Sequence, residues 1–174
     1  MKIVISIFIF FAAVVLQTTL VQFASIFHIL PNLVLAVGIS WAILRSYKET
    51  VLCGLFAGIM LDMLSGREFG IKTISLIIVL IGVNLLAKEF LSGPRILLLT
   101  SLSFAGTIFY GLMNFYLLNL TFYLKLIHLK PELTWYVLLG QGVYNMLLVF
   151  LVFWILSKID KWLLYYSKQV KLSR

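Results

Sequence analysis

The sequence predicts an all-α integral membrane protein, a six-transmembrane-helix bundle forming a single polytopic domain over residues 1–174. Three observations carry that prediction. First, hydrophobic residues make up 63% of the chain, charged residues 11%, and the mean hydropathy is +1.11, whereas soluble domains carry about 25% charged residues. A water-soluble fold of this length cannot hide so much apolar surface. Second, the apolar residues form continuous runs, such as residues 3–27, rather than the short alternating strands of a membrane barrel. Lipid offers the backbone no hydrogen-bond partners, so runs of this kind cross it as helices. Third, the charges cluster between the runs and in the tail.

The first span is expected over about 3–27, ending at His28 and the Pro31–Asn32 turn signal. Lys2 before an apolar run suggests a signal peptide, but the run is too long for one and no small-residue cleavage site follows. An uncleaved span is expected instead. The second span, about 33–44, stops at Arg45, Lys48 and Glu49, and the third covers about 50–64. Both are shorter than the roughly 20 residues of an ordinary span. A re-entrant pair would bury the intervening charges, which is costly, so two short, tilted helices joined at the interface are expected. The remaining spans are about 69–87, 96–124 and 133–156, the fifth long enough to tilt or project. Residues 157–174 form a basic amphipathic cytoplasmic tail that either continues the last helix or lies on an anionic leaflet.

Six spans put both termini on one side. With the termini in the cytoplasm, ten of the 14 Lys and Arg residues fall inside and four (Arg67, Lys72, Lys125 and Lys130) outside, as the positive-inside rule requires. Trp135 and Tyr136 at one end of the last span, and Trp162, Tyr165 and Tyr166 beyond the other, fit aromatic belts. The net charge of +8 is spread between spans rather than gathered into a nucleic-acid surface.

Asp62 is the acidic residue inside an apolar run. Gly54, Gly58 and Asp62, spaced by four, lie on one slowly drifting helical stripe, a small-residue face for helix packing. The carboxylate reads either as a proton- or cation-coupled site or as an anchor that caps amides or pairs with Arg67 or Lys72. Its expected depth, well past the midplane, favours the anchor. Tyr110 and Asn114 share one helical face, and Gln141, Tyr144 and Asn145 share another. They either line a small-molecule pocket or hydrogen-bond between helices. Gln17, Thr18, Thr19 and Gln22 pose the same choice, while Asn84 and Asn119 are read as packing alone. Cys53 has no disulfide partner and reads as a small packing residue. His28 and His128 lie at expected span ends without a second ligand at metal spacing. No phosphate loop, catalytic triad or H-E-x-x-H motif occurs, so neither catalysis nor a metal or cofactor is expected.

One stretch is more specific. Leu30-Pro31-Asn32-Leu33 leads into a span, a short basic-acidic loop follows, then Gly54-x3-Gly58-x3-Asp62 and Ser65-Gly66-x3-Gly70. Over residues 30–70 this resembles the MreD family of the bacterial rod-shape (elongation) system, whose members are similar in length and span pattern. Many members carry Asp where this chain has Asn32. The resemblance implies an inner-membrane scaffold, not an enzyme, acting with MreC, a protein of one span and a periplasmic domain. The wider machine includes MreB, RodA and a class B penicillin-binding protein. It also implies that Gly54, Gly58 and Asp62 shape a helix-packing face. MreD-like proteins in turn resemble the substrate-binding subunits of energy-coupling-factor transporters. On that alternative reading the Tyr110/Asn114 and Gln141/Tyr144/Asn145 faces bind a vitamin-like ligand. The Ala-x3-Ala docking face usual in such subunits is absent, since Leu16 and Gln17 follow Ala12 and Ala13 by four.

Overall fold

The computed structural model describes residues 2–19, 29–65, 70–89, 95–125 and 132–172. Among them are six α-helices and no β-strand: α1 (Lys2–Thr19), α2 (Leu33–Leu44), α3 (Tyr47–Ser65), α4 (Ile71–Glu89), α5 (Arg95–Tyr123) and α6 (Trp135–Leu172). Residues 20–28, where the first span was expected to end, lie outside the described residues, as do His28, Arg67 and His128.

The bundle is organised around α2. Its sequence, LVLAVGISWAIL, is apolar on every side, and every residue from Val34 to Ala42 is buried. A helix without a polar face has to be enclosed. All five other helices touch α2, and they neighbour one another in the order α1, α3, α4, α5, α6 around it. From α1 come Phe10, Ala13 and Val14; α4 supplies Leu76, Leu80 and Val83; α6 adds Val149 and Val152. Trp41 is fully buried, with Phe10 edge-on to it at 6.1 Å between ring centroids.

The helix ends show what hydropathy patterning reads poorly. Helix α3 starts at Tyr47 rather than Thr50, because Tyr47, Lys48 and Glu49 supply a polar first turn. Glu49 there suits the positive end of the helix dipole. Helix α4 likewise runs on through Lys88 and Glu89. Of the two readings open for the tail, the structure takes the first: α6 is one helix of 38 residues through Leu172. That length rises about 57 Å, far beyond a hydrocarbon core of about 30 Å.

Among the described residues, three helices are long and apolar enough to cross a membrane: Ile71–Glu89, Ile96–Tyr123 and Trp135–Trp162. The apolar stretches Val4–Thr19 and Leu33–Leu44 are shorter, and α3 carries Lys48, Glu49 and Asp62.

An ion pair ties α6 to the α2–α3 junction. Arg45 Nη2 lies 2.6 Å from Asp160 Oδ1, its Nε 3.7 Å from Glu49 Oε2, and its guanidinium 5.3 Å from the Trp41 ring centroid. The Arg45 and Asp160 side chains are only 8% and 15% exposed. Removing one partner of such a pair strands a charge in a poor solvent for it and costs about 3 kcal/mol or more, whereas removing both is far cheaper. Asp160→Ala is therefore expected to lower the thermal midpoint of the detergent-solubilised protein by several degrees. Arg45→Met combined with Asp160→Met and Glu49→Gln, which leaves no stranded charge, should recover most of that loss, as read by a thermal-shift assay.

Candidate functional site

Two sets of polar residues organise the interior, and each meets backbone groups of another helix. The first is on α3. A Cβ on Gly54 would stand 2.9 Å from Leu80 Cδ1, and one on Gly58 would stand 2.6 Å from the Cα of Thr73. The two glycines thus bring α4 against α3, side chain first and then backbone. One turn further, Asp62 is 2% exposed. Its Oδ2 accepts from the amides of Gly70 (3.0 Å) and Thr73 (3.0 Å) and from the Thr73 hydroxyl. Its Oδ1 accepts from the amide of Lys72 at 3.1 Å. The carboxylate therefore caps the first turn of α4, where four amides lack intrahelical partners and the dipole favours a negative charge. Gly70 holds φ 98°, a left-handed conformation open to glycine, and this aims its amide at Asp62.

The second set surrounds the start of α2. Asn32 is its N-cap, accepting from the Leu35 amide at 3.0 Å. Gln17 of α1 accepts from the Leu33 amide at 2.6 Å and donates to the Pro31 carbonyl at 3.1 Å. Asn145 of α6, fully buried, accepts from the Asn32 amide at 2.8 Å and donates to Thr107 Oγ1 of α5 at 3.3 Å. The Pro31–Asn32 turn is thereby held from α1 and α6, with Thr107 of α5 behind Asn145. At the opposite end of α2, Asn84 of α4 donates to the carbonyls of Ala42 (2.6 Å) and Arg45 (3.1 Å). Asn84 is thus a C-terminal cap, a role that reading it as packing alone missed. Thr107 and Asp160 were missed as well.

Of the five residues read as either pocket-lining or hydrogen-bonded between helices, Asn114 and Gln141 share a cleft and Asn145 bonds between helices. A cleft of about 230 Å³ between α5 and α6 takes Asn114 and Gln141, with Glu132 and Thr134 at its polar rim. Asn114 donates to the Tyr110 carbonyl at 2.8 Å, and the Tyr110 side chain interacts with Asn114 and Asn32. Asn145, one turn beyond Gln141, faces α2 instead, and Tyr144 is half-buried outside the cleft. Among the described residues no three His, Cys, Asp or Glu side chains converge as metal ligands.

The family model described as rod shape-determining protein MreD matches residues 1–159. The chain belongs to the MreD family. It is accordingly a membrane protein of a shape-determining, structural family. No curated protein and no solved structure matches it. The family match takes in Gln17, the Pro31–Asn32 turn, Gly54, Gly58, Asp62, Asn84 and Asn145, and ends one residue before Asp160.

The glycine geometry separates three substitutions. Gly58→Ala drives a methyl group into the α4 backbone and should cost about 1–3 kcal/mol. Gly54→Ala meets only the mobile end of Leu80 and should cost less. Gly82→Ala, where an added Cβ finds nothing within 4 Å, should be neutral or stabilising by up to about 1 kcal/mol. Thermal unfolding of the purified variants gives this order directly. In the same assay Asp62→Asn, which keeps one acceptor, should retain more stability than Asp62→Leu, which leaves the α4 amides without a partner.

Proposed function

We propose that this chain is an inner-membrane scaffold of the bacterial rod-shape system, which binds an MreC-type bitopic protein and helps organise peptidoglycan synthesis. The observation that carries this reading is the use made of the buried polar side chains. Gln17, Asp62, Asn84 and Asn145 all hold helix ends of this same chain. Within a matched MreD family, such an interior builds a rigid body whose outer helix faces are left for other membrane components. The wider assembly takes in MreB, RodA and a class B penicillin-binding protein. Both termini lie in the cytoplasm on this reading, because that orientation puts most Lys and Arg residues inside.

Binding of a vitamin-like ligand, as in energy-coupling-factor subunits, is the weaker reading. It needs the α5 and α6 polar faces to enclose one cavity, and Asn145 is spent on Asn32 and Thr107 instead.

Co-expression with an MreC-type protein and purification in mild detergent separates the two. Stoichiometric co-elution is expected, together with restored rod shape when the gene complements a strain lacking its own copy. A tightly held small molecule with no such partner would overturn the scaffold reading. A reporter fused after Arg174 should be active only on the cytoplasmic side.

A further inference from the structure

The cleft between α5 and α6 gathers polar groups that the bundle itself does not use. Gln17, Asp62, Asn84 and Asn145 each hold a helix end. Gln141 does not. It is half-buried, lines the cleft one turn before Asn145, and has no hydrogen-bond partner among the described residues. Glu132 stands at the rim, exposed and, among the described residues, without an ion-pair partner. Lys125, just past the end of α5, is exposed and is not part of the lining. Asn114 spends its Nδ2 on the Tyr110 carbonyl at 2.8 Å, which leaves its Oδ1 as an acceptor.

Charge, size and level identify the occupant. The described lining holds one carboxylate and no basic residue, so it suits a cation rich in N–H donors. A phospholipid brings a phosphate, which Glu132 repels. The walls between the polar groups are apolar, with Phe115 and Leu138 among them, and they suit the methylene stem of a long basic side chain. The volume of about 230 Å³ is below the roughly 300–1,000 Å³ of sites for drug-sized ligands. Along α5 the lining runs from Gly111 to Leu118, a rise of about 10 Å, which one extended side chain can follow. Glu132 and Thr134 directly precede α6, whose first residues, Trp135 and Tyr136, are exposed. Such a pair marks a membrane–water boundary. Basic residues flanking the span of another membrane protein stand at that level too.

We propose that the α5–α6 cleft is a socket for one basic side chain, arginine or lysine, which a partner membrane protein carries just beyond its span. Glu132 supplies the counter-charge, and Asn114 and Gln141 accept hydrogen bonds within. The source of the side chain rests on the scaffold reading; the chemistry of the cleft does not. Two measurements on the full chain in detergent therefore test them apart. In the first, n-butylguanidinium chloride or its uncharged analogue n-butylurea is added to the chain alone. The guanidinium should raise the thermal midpoint and the urea should not, and Glu132→Gln combined with Gln141→Leu should abolish the shift. Equal shifts from the two probes, or an unchanged shift in the folded double variant, would overturn the socket. In the second, the chain is co-purified with an MreC-type protein. Glu132→Lys, a change at an exposed position, should lower co-elution several-fold. One partner variant with a span-flanking Lys or Arg replaced by Glu should restore it. Undiminished co-elution of Glu132→Lys would overturn the socket and leave the scaffold reading standing. A wild-type chain that answers the guanidinium but retains no partner would contradict the scaffold reading and the partner as source. A small amine released from the denatured wild-type chain would make the cleft a metabolite site and also sink the proposal.

Discussion

Helix α2 creates the constraint around which the bundle is built. Twelve residues rise about 18 Å, too little to cross a core of about 30 Å, so at least one end of the helix falls where no water reaches. Each end of any helix leaves four backbone groups unpaired, and leaving them so in an apolar surrounding costs more than most single contacts supply. The chain answers with side-chain amides from distant helices. Gln17 and Asn145 serve the first turn together with Asn32, and Asn84 serves the last. Because those residues lie on α1, α6 and α4, satisfying α2 fixes where three other helices sit. A short buried helix thus dictates the arrangement of its neighbours.

The α3–α4 pair applies the same physics at a second place. Gly58 lets the two backbones approach, and Asp62 meets the amides that this approach delivers. A carboxylate buried in a membrane protein reads by default as a functional group. Here its lone pairs are occupied by the first turn of α4, and the charge is matched by the dipole of that helix. The interior is committed to holding the bundle together.

Much of this was legible in the chain. The bounds of α2 follow from the Pro31–Asn32 turn and from Arg45, and the structure returns Leu33–Leu44. The four-residue spacing of Gly54, Gly58 and Asp62 placed them on one face, and periodicity needs nothing else to show that. Periodicity does not name the partner across a face. Asn145 lies 113 residues from the amide it caps and Asn84 lies 42 from its carbonyl. Nothing local to either asparagine distinguishes a cap from a packing residue. For the same reason periodicity could not choose between a pocket and interhelical hydrogen bonding on α5 and α6. Two residues on one helical face look equivalent in sequence, yet Gln141 opens on a cleft while Asn145, one turn on, turns towards α2. Asp160 was hidden among lysines, where its pairing with Arg45 required knowing that α6 continues straight past it.

Hydrogen–deuterium exchange on the detergent-solubilised chain tests the central claim most directly. If the amide caps hold α2, its peptide should be the slowest to exchange among the described helices. Asn145→Leu should speed exchange first at Asn32–Leu35, and Asn84→Leu first at Ala42–Arg45, each variant leaving the opposite end of α2 slower. Uniform acceleration across the whole bundle in both variants, or fast exchange of α2 in the wild-type chain, would contradict the account.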